Sequence, residues 1–135
     1  MTEALIQSEF SKKNTKVGCF ELKLCKGKSI RFDSVKIHQL AALIAASTEK
    51  GLKHKINDAP IYAGMKTRFT NKKPFDFIFL KYIPSYIVIC FYVPRKKKRC
   101  YYVKPQDWVL ATIGTQGKSI REEAIAKISS YVLDL

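Results

Sequence analysis

The apolar run at residues 86–93 constrains the fold of this chain more than any other sequence feature. It is far shorter than the roughly 20 residues that a membrane-spanning helix needs. A short, continuous apolar run bounded by prolines is typical of a strand that is buried on both faces. We therefore predict that residues 86–93 form the central strand of a sheet.

Two neighbouring segments are also predicted to be strands. Residues 75–81 precede the central run and are separated from it by Pro84, and Arg99–Val103 follows Pro94 and a run of basic residues. Prolines at such positions interrupt strand pairing and favour turns. The simplest arrangement of these three consecutive strands is an antiparallel meander.

Segments with helical periodicity or capping residues surround these strands. They are Glu3–Lys13 after Thr2, a helix capped by Asp33 or Ser34 that ends near Gly51, a helical turn at residues 105–111, and a helix that opens at Ser119 and runs to about Leu133. Such an alternation indicates an α/β domain with a central mixed sheet. We expect a single domain over residues 1–135, because a chain of this length usually forms one core.

The charge of the chain indicates the class of its partner. It has 25 Lys and Arg against 11 Asp and Glu, which gives a formal net charge of +14. Such an excess makes a polyanion the first partner to consider. Any basic protein near phosphates benefits from counterion release, so charge predicts nucleic acid without specifying a reaction.

The cysteines and the N-terminal residues bear on the compartment. There is no CxxC pair, and the histidines lack zinc-ligand spacing to the cysteines, which are Cys19, Cys25, Cys90 and Cys100. Cys19 and Cys90 lie in apolar runs, which favours reduced core thiols in a cytosol-like compartment. The N-terminal residues lack a signal-peptide pattern. We expect a cytoplasmic protein, or one of the host cytoplasm if it is viral, with no membrane partner.

Residues 17–24 alternate between apolar and polar side chains. Phe20, Leu22 and Leu24 occupy one face of the predicted strand, and Glu21 and Lys23 lie on the other, about 7 Å apart. A carboxylate and an ammonium group so placed suit a metal ligand and a water-positioning group in phosphodiester hydrolysis. The solvated face of an ordinary sheet carries the same pattern, so the pair alone is a weak signal.

The context of this pair resembles a known family. The stretch FELKLCKGKSIRFDSVKIHQLAAL, which begins at Phe20, is similar to the active-site strand and following helix of Holliday junction resolvases in the PD-(D/E)xK nuclease superfamily. In that family an E-x-K strand leads to a helix that bears His-Gln. The resemblance covers about the first half of the chain. It implies a restriction-endonuclease-like core, Mg²⁺- or Mn²⁺-dependent endonuclease activity on four-way DNA junctions, and a homodimer.

Carried over position by position, the resemblance assigns four residues. Glu21 is implied to be a metal ligand, Lys23 the lysine near the attacking water, and Gln39 an adjacent residue on the active-site helix. Glu3 matches the acid that many such enzymes carry on their first helix. Glu9 lies on the same predicted helix, and the choice between the two acids stays open.

The sequence departs from the family pattern because no acidic strand residue precedes Glu21. Asp76 is the first candidate for the missing metal ligand, since it follows Pro-Phe at the head of an apolar strand. Its use would require a rearranged strand order, and an acid in such a strand needs a cation, hydrogen bonds or solvent. Asp58 is the second candidate, although its Asn-Asp-Ala-Pro context is typical of a turn.

Basic residues near these segments are predicted to contact DNA phosphates. They are Lys26, Lys28 and Arg31 after the E-x-K strand, and Lys66, Arg68, Lys72 and Lys73 in the loop or ribbon at residues 57–73. Two alternatives remain open: a related nuclease that cuts flaps, nicks or linear duplex, and a non-catalytic basic module whose binding is salt-sensitive but indifferent to Mg²⁺. An RNA-binding sheet is less favoured, because the aromatic motifs of the common RNA modules are missing.

Overall fold

The computed structural model describes residues 2–55 and 76–135. In chain order the described elements are α1 (Glu3–Lys13), β1 (Cys19–Cys25), β2 (Ser29–Arg31), a 3₁₀ turn (Phe32–Ser34), α2 (Ile37–Ser47), β3 (Leu52–Lys55), β4 (Phe77–Leu80), β5 (Ser85–Phe91), β6 (Arg99–Val103), α3 (Pro105–Gly114), β7 (Ser119–Arg121), α4 (Glu122–Ile128) and β8 (Tyr131–Asp134).

The main sheet has the strand order β1-β5-β6-β8. β1 runs parallel to β5, whereas β6 is antiparallel to both β5 and β8. The sheet is therefore mixed, and the predicted α/β class is confirmed. Every residue of β5 is buried, as predicted for the central apolar run.

Helices cover both faces of this sheet, because β5 and β6 present apolar side chains to each side. Ile6 and Phe10 of α1 pack against one face, on Tyr86, Val88 and Tyr102. The other face packs against α2, α3 and α4 through a larger cluster that includes Leu43, Ile87, Ile89, Val103, Trp108 and Ile125. In the part of the chain that the structure describes, no helix is long and apolar enough to cross a membrane.

The predicted antiparallel meander is wrong for its first strand. β4 pairs with β3 in a separate antiparallel ribbon, in which Leu52 lies opposite Leu80. A strand has only two hydrogen-bonding edges, and those of β5 are taken by β6 and by all seven residues of β1. β4 therefore cannot join β5, although it is its neighbour in sequence.

The C-terminal segment also differs from the prediction of a helix that opens at Ser119 and runs to about Leu133. Ser119–Arg121 forms β7, and α4 begins at Glu122. α4 ends at Ile128, and Tyr131–Asp134 forms β8 on the edge of β6. The Ser130 N–H donates to the Tyr102 carbonyl over 2.7 Å, and Leu133 packs on the α1 side of the sheet. Pairing with an otherwise open strand edge thus outweighs the local preference for helix. The turn predicted at residues 105–111 extends to Gly114 as α3.

The expectation of reduced core thiols is wrong for Cys90. Cys90 on β5 lies directly opposite Cys100 on β6, and the two are joined by a disulfide. Opposite residues of an antiparallel pair bring their Cβ atoms close enough for this bond. Cys90 therefore gives no indication of a cytosol-like compartment. Cys19 and Cys25 are free thiols.

Gly18 sets the point at which β1 joins β5. The Cys19 N–H donates to the Pro84 carbonyl over 2.9 Å, and a Cβ at Gly18 would lie 2.2 Å from the same oxygen. Only glycine allows this approach without moving the backbone. The resulting register places Glu21 beside Ile87 and Lys23 beside Ile89.

Candidate active site

Glu21 and Lys23 lie on the face of β1 that points toward α2. The alternation along β1 turns Phe20, Leu22 and Leu24 to the α1 side, where they pack against the aromatic cluster. Lys23 Nζ lies 3.1 Å from Glu21 Oε1, and the two side chains are 17% and 29% exposed, respectively. The predicted pair is therefore a half-buried ion pair at the side of the sheet that α2 covers.

Gln39 joins this pair to the start of α2. Its Nε2 donates to Glu21 Oε1 over 2.8 Å, and its Oε1 accepts from the Lys36 N–H over 2.9 Å. An amide oxygen only accepts and an amide nitrogen only donates, so the two contacts together fix the orientation of the side chain. The structure thus brings together Glu21, Lys23 and Gln39 from two separate elements.

The predicted cap of this helix is wrong. α2 begins after Lys36, and the Lys36 N–H donates to the Gln39 side chain, whereas neither Asp33 nor Ser34 caps the helix. Asp33 lies in the preceding 3₁₀ turn and accepts two hydrogen bonds from Arg31, at 3.0 and 2.8 Å. Arg31 competes successfully for the carboxylate because the guanidinium offers a charged, two-pronged donor.

Replacing Gln39 by Ala is expected to lower the free energy of unfolding by about 1 kcal/mol, because the Lys36 N–H loses its capping acceptor. Urea denaturation of the purified variant measures this change. His38→Ala is the matched control, since the neighbouring His38 side chain is exposed on the same helix. Equal losses in the two variants would contradict the capping role of Gln39.

A pocket of about 240 Å³ lies between α1 and β1, and Glu21 is one of the β1 residues that border it. Its lining residues are Glu3, Gln7, Phe20, Glu21 and Leu22. Glu3 and Glu21 therefore share one pocket. Glu9 has a different environment: Lys98 Nζ donates to both of its carboxylate oxygens, at 2.9 and 2.7 Å, and this contact lowers the pKa of Glu9. Of the two helix acids left open by the sequence, Glu3 is the one that lines the pocket.

Asp76 does not line this pocket. It is exposed in a bend just before β4, so it lies outside the strand that was predicted to contain it, and solvent satisfies its carboxylate. Within residues 2–55 and 76–135, no group of three or more His, Cys, Asp or Glu side chains is placed to hold a metal ion. Asp58 lies outside the described residues, as do Lys66, Arg68, Lys72 and Lys73.

The acidic residues that border this pocket are Glu3 and Glu21. No family model, curated protein or solved structure matches this chain. Mg²⁺ in phosphoryl-transfer sites is commonly held by one or two carboxylates together with water and substrate phosphate oxygens. Glu3 and Glu21 both border one pocket, and carboxylates are suitable ligands for a Mg²⁺ or Mn²⁺ ion.

Basic side chains surround a second pocket, which the sequence analysis did not assign to a site. This pocket has a volume of about 480 Å³. Its lining residues are Phe91, Val93, Lys96, Lys97, Arg99 and Glu122. The run RKKKR at residues 95–99 was the signal that could have found it. Lys26, Lys28 and Arg31, which were predicted to contact DNA, are all exposed after β1.

Proposed function

We propose that this protein is a metal-dependent endonuclease that hydrolyses phosphodiester bonds in DNA, with four-way junctions as its substrate. The observation that carries the proposal is the contact of Glu21 with both Lys23 and Gln39 beside a pocket that Glu3 also lines. The choice of branched DNA rests on the resemblance of residues 20–43 to junction resolvases.

In this proposal Glu3 and Glu21 would hold a Mg²⁺ or Mn²⁺ ion. When bound, the ion supplies a more acidic water and neutralises charge on the scissile phosphate. Lys23 orients the attacking water and stabilises the negative charge that develops on the phosphate oxygens. Gln39 is a positioning residue, because it holds the Glu21 carboxylate without reaching the reacting atoms. Water adds to phosphorus as the bond to the leaving 3′-oxygen breaks, so no covalent intermediate is needed.

Symmetric cleavage of a junction also calls for two active sites. A homodimer provides them when its twofold axis relates two copies of the same pocket. We therefore propose a homodimer as the acting species, in line with the family resemblance. Paired cuts at symmetric positions of the junction would be the expected product pattern.

Cleavage of a labelled four-way junction and of a linear duplex of matching sequence tests the function. We expect paired nicks in the junction with Mg²⁺ or Mn²⁺ and no nicks in EDTA, because the two carboxylates need a cation to act on a phosphate. Equal cutting of the linear duplex would instead identify a nuclease without a preference for branched DNA.

A non-catalytic nucleic-acid-binding module is the second candidate. It is favoured by the exposed position of Asp76 and by the lack of a three-residue metal cluster among the described side chains. It predicts DNA binding that weakens with salt and is unaffected by Mg²⁺. Junction binding without cutting at any tested metal concentration would favour this candidate.

A further inference from the structure

The pentapeptide Gly-Lys-Ser-Ile-Arg occurs twice in the chain, at residues 27–31 and 117–121. The last three residues of each copy form β2 and β7, which pair antiparallel, and Ile30 lies opposite Ile120 at the centre of the pair. Ser29 lies opposite Arg121, and Arg31 opposite Ser119. Two identical segments that pair antiparallel about the same residue, here the isoleucine, are related by a local twofold axis. We call this pair the GKSIR ribbon.

The local geometry repeats as closely as the sequence. The Phe32 N–H donates to the Lys118 carbonyl over 3.0 Å, and the Glu122 N–H donates to the Lys28 carbonyl over 3.3 Å. These bonds are twofold mates, since Phe32 and Glu122 each follow one copy of the pentapeptide. Both central isoleucines are 5% exposed and pack into the core on the α2 side of the sheet. Equivalent contacts of the two isoleucines thus hold both strands of the ribbon against the core.

The ribbon turns the same cations outward from both halves. Lys28 and Arg31 are exposed in the first copy, as are Lys118 and Arg121 in the second. The two arginines occupy diagonal positions on the outer face, with Cα atoms about 7–8 Å apart. Of these four cations, only Lys28 and Arg31 were predicted from the sequence to contact DNA.

The basic surface continues from the ribbon into the 480 Å³ pocket. Glu122, whose N–H is bound to the Lys28 carbonyl, lines that pocket together with Lys96, Lys97 and Arg99. The hairpin between β5 and β6 therefore adds cations beside the ribbon. This continuity favours an extended polyanion over a small anionic ligand.

We propose that the GKSIR ribbon binds double-stranded DNA, with one copy of the pentapeptide facing the phosphates of each strand. The two strands of a duplex run antiparallel and are related by twofold axes perpendicular to the helix. A ribbon with a local twofold axis presents the same lysine to each strand, just as twofold-symmetric proteins match twofold-symmetric duplex sites. Contacts of this kind set the position of the duplex without reading its sequence.

This inference deepens the proposed function, since it rests on DNA as the partner of the nuclease. The lysines provide the cleanest test of the twofold relation. Arg31 is already bound to Asp33, and this contact lowers the pKa of the Asp33 carboxyl, whereas Lys28 and Lys118 are exposed mates. Equal effects at the two lysines are the signature of the ribbon.

The test measures binding of a linear duplex in EDTA over a series of salt concentrations. Lys28→Ala and Lys118→Ala should each reduce the slope of log affinity against log salt by about 0.9, and the double variant by about 1.8. With a single strand of the same sequence, the slope of log affinity against log salt should fall by only about 0.7 in the double variant, because one strand contacts one half of the ribbon.

The matched control removes two charges from the other face of the sheet. Lys12→Ala/Lys13→Ala, on α1, should leave the duplex slope unchanged. Unequal effects of the two ribbon lysines, or an equal loss in the control, would overturn the proposal. Binding is measured without metal, so the two proposals can be separated. Equal slope changes at the two lysines in a protein that never cuts DNA would reject the nuclease proposal and support duplex binding by the GKSIR ribbon.

Discussion

Replacing Glu21 by Gln is expected to reduce metal-dependent cleavage of a four-way junction by about 1000-fold while leaving junction binding in EDTA unchanged. The substitution keeps the shape of the side chain but removes the charge that would hold the cation. Loss of metal stabilisation of the transition state is worth several kcal/mol, and each tenfold change in rate corresponds to about 1.4 kcal/mol. Single-turnover cleavage of a labelled junction measures the effect.

Two further variants localise the effect to the pocket. Glu3→Gln should also impair cleavage, because Glu3 lines the pocket with Glu21, whereas Glu9→Gln should retain it, because Glu9 is bound to Lys98. Urea denaturation of each variant shows whether any loss of activity reflects unfolding. Cleavage by Glu21→Gln at the unsubstituted rate would reject the proposed site, and so would an equal loss in Glu9→Gln.

Replacing Trp108 by Ala is expected to lower the free energy of unfolding by about 3–5 kcal/mol. Trp108 of α3 is fully buried, and its ring packs edge-on against Phe32 with centroids 5.5 Å apart. Removal of the indole leaves a large cavity between α3, the 3₁₀ turn and the sheet. Since Phe32 directly follows β2, the loss is expected to loosen the anchor of the GKSIR ribbon as well.

Leu110→Ala is the matched control on the same helix, because the Leu110 side chain is 66% exposed. It should change the free energy of unfolding by no more than about 0.5 kcal/mol. Urea titrations followed by far-ultraviolet circular dichroism provide the comparison. A Trp108→Ala protein as stable as Leu110→Ala would show that α3 does not pack on the sheet as described.

Much of the local structure was predictable from residue pattern. The bounds of α1 and β6 match the prediction, and β1 lies within one or two residues of the predicted strand. These segments have clear periodicity or capping residues, and both signals act between near neighbours in the chain. The prediction of a helix to Leu133 was wrong because it used near neighbours alone. The last residues form β8 by pairing with the edge of β6, which is far away in sequence.

In the candidate site, too, some contacts follow from local residue pattern and others depend on long-range packing. The alternation along β1 was enough to place Glu21 and Lys23 on one face, and a strand imposes that relation wherever it lies. The contact of Glu21 with Gln39 depends on how α2 packs against β1. The separation of Asp76 from the pocket depends on which strand occupies the edge of β5.

The α/β class, the buried central strand, the E-x-K pair and the basic character of the surface were predictable from residue pattern, because each follows from composition or from contacts between near neighbours. Long-range packing was needed to pair β1 with β5, to bring Cys90 to Cys100 and to join the two GKSIR copies in one ribbon. Those pairings join residues that are far apart in the chain, and they are selected by competition for strand edges and for burial in a shared core.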